Sequence, residues 1–103
     1  MARISRNKKD FQKAIDLWGT DFLLDMVGEE CIELTKAVFD YKRRKEASFP
    51  KLLEEIVDVE IIIEQIKVAL LIGTDKNEWL KIKRYKLKRF RERLLTPLSM
   101  GEK

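Results

Sequence analysis

Histidine is absent from the 103 residues, and cysteine occurs once, as Cys31. Without imidazole there is no Ser-His-Asp or Cys-His nucleophilic centre, no His-ligated zinc, and none of the Glu-x-x-His pairs that build di-iron bundles. A lone thiol forms no disulfide within the chain, which suits a reducing compartment. Four glycines and two prolines leave few positions for sharp turns. The longest uninterrupted apolar run, residues 68–72, is far short of the roughly 20 residues that a membrane span needs. The basic N-terminal segment lacks the apolar stretch of a secretory leader. A soluble, cytoplasmic protein is the expectation.

What is present is charge and helix formers. Asp, Glu, Lys and Arg make up 39% of the chain, a composition that favours helices over strands. The net charge of +4 is unevenly placed. Residues 76–93 hold nine Lys or Arg against two Glu, and residues 21–64 hold twelve Asp or Glu against six Lys or Arg. An acidic middle and a basic C-terminal segment fit either nucleic-acid binding or an internal partnership of metal-binding acids with phosphate-binding bases. With histidine missing, any chemistry falls to carboxylates, supported by Lys, Arg or a metal.

The hydrophobic periodicity predicts an all-α fold: one domain over residues 1–103, a compact bundle of about four helices, with a frayed tail at 96–103. The first helix spans about 5–18, carries Ile4, Phe11, Ile15 and Trp18 on one stripe, and stops at Gly19. The second spans about 21–44 with Thr20 as its N-cap, and its basic end at residues 42–45 suits the negative pole of the helix dipole. Ser48 and Pro50 mark the start of a third helix that ends at Gly73. Asp75 and Glu78 form a capping box for a fourth, which runs to about residue 95, ahead of Pro97.

Two helices repeat one arrangement, Glu30-x-x-Glu33 and Glu55-x-x-Asp58. Residues three apart share a helix face, so each pair aims two carboxylates at one point. Leu23, Met26, Val27, Leu34, Ala37 and Tyr41 fall within roughly 60° of Glu30, which puts this acid at the centre of the apolar stripe and Glu33 at its edge. Leu52, Val59, Ile62, Ile66, Ala69 and Leu70 surround Glu55 in the same way, with Asp58 at the edge. A carboxylate on a buried face is costly unless compensated, and four facing one another repel. A hard divalent cation with oxygen ligands is the natural compensation, Mg²⁺ above all beside phosphates; the plainer alternative is neutralisation by Lys or Arg of the fourth helix. That helix carries Trp79, Ile82, Phe90 and Leu94 on its apolar stripe, with Lys86 inside the stripe and Lys83, Arg89 and Arg93 near it. Such side chains either snorkel to solvent or reach phosphate oxygens, and Lys86 and Arg89 are the preferred phosphate pair. Cys31 reads as a small core residue, and Trp18, Trp79, Tyr41 and Phe90 read as core.

The stretches GEECIEL, LLEEIVDVEIIIEQIK and YKLKRFRERL, with WG ahead of them, resemble the MazG family of all-α nucleoside triphosphate pyrophosphohydrolases, in particular its small, stand-alone, often phage-encoded members. The resemblance covers about residues 18–94. It implies Mg²⁺ (with Mn²⁺ able to substitute) coordinated by Glu30, Glu33, Glu55 and Asp58, and hydrolysis of a (deoxy)nucleoside triphosphate to monophosphate and pyrophosphate, as in nucleotide-pool control. It also implies a homo-oligomer, dimer or tetramer, with sites near subunit interfaces. Leu23 stands where similar small members often carry Gln, and Gly28 where they carry a bulkier residue. A second apolar strip, Leu53, Val57, Ile61, Val68 and Leu71, lies on the other side of the third helix and is expected between subunits. Two other readings remain: a basic helical module that binds nucleic acid through residues 76–93, and a nucleotide sensor without turnover.

Overall fold

The computed structural model describes residues 2–72 and 76–96, and among these the chain is almost entirely helical, without strands. The expected all-α class is borne out. The elements are α1 (Ala2–Trp18), α2 (Thr20–Arg44), a short 3-10 helix (Lys45–Ser48), α3 (Phe49–Ala69) and α4 (Lys76–Leu94). They divide into two compact units, Met1–Leu70 and Leu71–Lys103.

In the first unit α2 and α3 form the most extensive pairing, and α1 lies against α3 with a lighter contact to α2. Leu23, Ile62 and Ile66 make the core, with Ile15, Met26 and Val27 packed on it. Each comes from a stripe that the 3.6-residue period defines, so the buried faces are those read from the sequence. Leu23 is the most deeply buried side chain, 1% exposed.

Gly19 separates α1 from α2. Its φ of 85° and ψ of 156° break the helical path, while its N–H still donates to the Ile15 carbonyl at 2.8 Å. The N-cap of α2 is therefore Gly19 and not Thr20, which is already helical, and no side chain caps this end. At the other end of α2, the Lys45 N–H closes onto the Tyr41 carbonyl, and the rings of Tyr41 and Phe49 meet at 5.8 Å across the connection. Ser48 is the N-cap of α3, as expected, with Pro50 in the first turn, but its hydroxyl makes no cap bond. That hydroxyl donates instead to the Lys45 carbonyl at 3.1 Å, tying the 3-10 turn shut.

α3 gives way at Ala69, with Leu70 as C-cap, four residues before the expected stop at Gly73. In the second unit α4 closes at Leu94, where the Leu95 N–H reaches the carbonyls of Arg91 and Glu92. Gly73, Asp75, Pro97 and the tail beyond it lie outside the described residues.

Many apolar side chains stay uncovered. Trp18 is 57% exposed and Phe90 55%, and Cys31 is exposed as well, so these three are surface residues of the single chain rather than core. In the first unit the cause is geometric: three helices bury one face each, and side chains beyond that face meet solvent.

The backbone at Gly19 lies in a region that essentially only glycine populates. A Cβ at this position would meet nothing within 4 Å, so a side chain brings strain without a clash. Gly19→Ala should lower stability by about 1–3 kcal/mol, measurable as a shifted urea midpoint with an unchanged slope.

Candidate metal centre

The pairing of α2 with α3 turns their two stripes toward each other, and the acids within the stripes meet. Glu30, Glu55 and Asp58 each offer one carboxylate oxygen, and these three atoms lie within 4.8 Å of one another. Glu55 is buried, 4% exposed, whereas Glu30 is half-buried and Asp58 exposed. This gradient follows the reading of stripe centre and stripe edge. Glu33, the fourth expected member, falls outside the group and pairs with Lys36 on its own helix at 3.4 Å, at the surface.

Glu55 has one partner. The Lys51 ammonium, one turn earlier on α3, approaches Glu55 Oε1 at 3.0 Å. The other oxygen, Oε2, is buried without a hydrogen-bond partner among the described residues. Within the first unit, the cation that meets Glu55 comes from α3 itself. The Lys51-x-x-x-Glu55 spacing carried the signal, since residues four apart on a helix are neighbours.

One ammonium beside three carboxylates leaves an excess of negative charge. At the observed separation two carboxylates repel on the order of 3 kcal/mol with an effective dielectric near ~20, and less where solvent reaches Asp58. Glu30 registers this: its pKa is raised above the ordinary 4.5, first by burial, then by the charges of Asp58, Glu55, Glu33 and Glu29. The Lys51 pKa is raised too, first by its hydrogen bond to Glu55 and then by the charge of that carboxylate.

Oxygen donors from two helices, excess negative charge and a buried oxygen without a partner together suit a hard divalent cation. Next to the acids is a cavity of ≈ 210 Å³ lined by Met26, Glu30, Asp58, Ile61, Ile62 and Gln65. Gln65 escaped the sequence reading as a site residue, although it follows Asp58 by two helical turns. Lys86 and Arg89 belong to α4 in the second unit; both are exposed, and the Arg89 guanidinium lies 5.9 Å from the Tyr85 ring centre. No helix among the described residues is long and apolar enough to cross a membrane.

No family model matches the chain, and no curated protein or solved structure is significantly similar to it.

The raised Glu30 pKa has a consequence for stability without a cation. A carboxyl whose pKa rises on folding favours the folded state when protonated, so that contribution is lost as pH climbs from about 4.5 through the raised folded value. Glu30→Gln removes it. In EDTA this variant should melt above the wild type at pH 7, and the two melting temperatures should converge near pH 4, as read by circular dichroism.

Proposed function

We propose that the chain is a Mg²⁺-dependent nucleoside triphosphate pyrophosphohydrolase of the MazG type, which converts a (deoxy)nucleoside triphosphate and water to the monophosphate and pyrophosphate. The observation that carries this reading is the convergence of Glu30, Glu55 and Asp58, together with the partnerless buried oxygen of Glu55. Structural ion-pair clusters usually satisfy their buried oxygens; a site built for a removable cation leaves one open. The stretches that resemble MazG supply the reaction type.

In this reading Glu30, Glu55 and Asp58 hold the cation directly. Glu33, nearby on the surface of α2, joins them by releasing Lys36. When bound, Mg²⁺ polarises the phosphate chain, offsets its charge and lowers the pKa of a bound water. Lys51 holds Glu55 in place through their 3.0 Å ion pair, and Lys86 and Arg89 bind phosphate oxygens by charge-assisted hydrogen bonds. The working form is a cytoplasmic homo-oligomer, dimer or tetramer, in which further helices complete the bundle. The apolar strip on α3 supports assembly, with Leu53 47%, Val57 49% and Ile61 45% exposed in the single chain.

Pyrophosphate release from the eight common (d)NTPs, with and without Mg²⁺, tests the activity. Glu30→Gln and Asp58→Asn should each lose about 10²-fold or more in kcat. Salt-sensitive duplex binding without hydrolysis would instead favour a nucleic-acid module using the basic face of α4, and nucleotide binding without turnover would favour a sensor.

Assembly is tested separately. Val57→Asp combined with Ile61→Asp should reduce the mass seen by light scattering to that of one chain, or cause aggregation. A well-folded double variant of unchanged mass would remove this strip from the interface.

A further inference from the structure

Gln65 carries the second buried polar oxygen without a partner. Its Oε1 is shielded from solvent and accepts no hydrogen bond from the described residues, and its side chain lines the same ≈ 210 Å³ cavity as Glu30 and Asp58. An acceptor of this kind is costly to bury unless a donor arrives. The cavity's other walls, Met26, Ile61 and Ile62, have no side-chain donor to give. A water or a ligand group within the cavity is the donor within reach.

We propose that Gln65 is a positioning residue whose carboxamide oxygen accepts a hydrogen bond from a water bound to a divalent cation held by Glu30, Glu55 and Asp58. The inference rests on the cation site described under the proposed function and names a partner for its hydration shell. Three reasons favour a water over a group of the nucleotide. Mg²⁺ binds few protein ligands and keeps several waters. A water takes about 30 Å³ of liquid volume, so the cavity has room for several. A cation-bound water has its protons turned outward, away from the metal, and an amide oxygen is an acceptor with no proton to compete. Asp58 and Gln65 are seven residues apart on α3, two turns along one face, so the ligand and the acceptor are set by one rigid element. The rigidity matters because an acceptor that fixes a bound water must itself be fixed.

The test uses Mn²⁺ as the probe, with free ion counted by electron paramagnetic resonance, on the wild type, Gln65→Met and Gln65→Glu. Gln65→Met keeps the length of the side chain and removes the acceptor; it should weaken Mn²⁺ binding about 10-fold or more. Gln65→Glu keeps an acceptor oxygen and should bind at least as tightly as the wild type. In EDTA the stabilities should run the other way, with Gln65→Met melting at or above the wild type because a partnerless buried oxygen is gone. If Gln65→Met binds Mn²⁺ as well as the wild type does, Gln65 has no role toward the cation while the three-carboxylate site stands. If Gln65→Met melts lower in EDTA or fails to fold, the amide serves packing and the proposal falls. If the wild type itself binds no Mn²⁺, the cation site falls and Gln65 with it.

Discussion

A carboxylate is buried in the packing between two helices, and the first unit is organised around it. Glu55 lies on the same stripe of α3 as Ile62 and Ile66, so the contacts that make the core also carry the acid out of water. α2 meets that stripe with Leu23, and Glu30 follows Leu23 by two turns. The hydrophobic effect thus brings like charges together, against their repulsion, because apolar and acidic positions share one helical phase. Lys51 offsets part of the cost at one oxygen of Glu55. The other oxygen keeps the full cost of burial, and that residue of unfavourable energy is what a cation would relieve.

Much of this was legible from the chain alone, for a definite reason. Helical phase is written in the positions of apolar residues, so the buried faces of α2 and α3, and the central places of Glu30 and Glu55, follow from the sequence. Gly19 announced the break between α1 and α2, and Pro50 the start of α3. Harder to read were features that depend on competition between neighbours. Whether Thr20 or Gly19 caps α2 turns on which residue takes the non-helical dihedral angles, and whether the Ser48 hydroxyl caps α3 turns on a rival acceptor, the Lys45 carbonyl. Glu33 sits at a stripe edge, where Lys36 competes for its carboxylate. The exposure of Trp18, Phe90 and Cys31 could not be read from one helix at a time, because a stripe states which face is apolar and not what covers it.

The balance of core and surface bears on stability. Leu23, Ile62 and Ile66 make a small core, while residues such as Leu17 at 71% and Ile32 at 57% stay exposed. A domain of this size gains little stability from a core so limited. In the second unit, Ile82 at 49% and Leu94 at 61% exposure show the same surplus along α4.

Lys51 occupies a place that helix electrostatics disfavours. It stands in the first turn of α3, where unpaired N–H groups give the helix its positive pole, and that turn contains no acidic residue. Sequence optimisation for thermal stability would exchange this lysine for an aspartate or glutamate, gaining a few tenths of a kcal/mol to about 1 kcal/mol at the helix end. The same exchange would set a fourth negative charge beside Glu55 and take away its counter-ion. Position 51 is thus a point where an improved helix and a partly neutralised acid cluster require opposite charges, and the lysine found there favours the acids over the helix end.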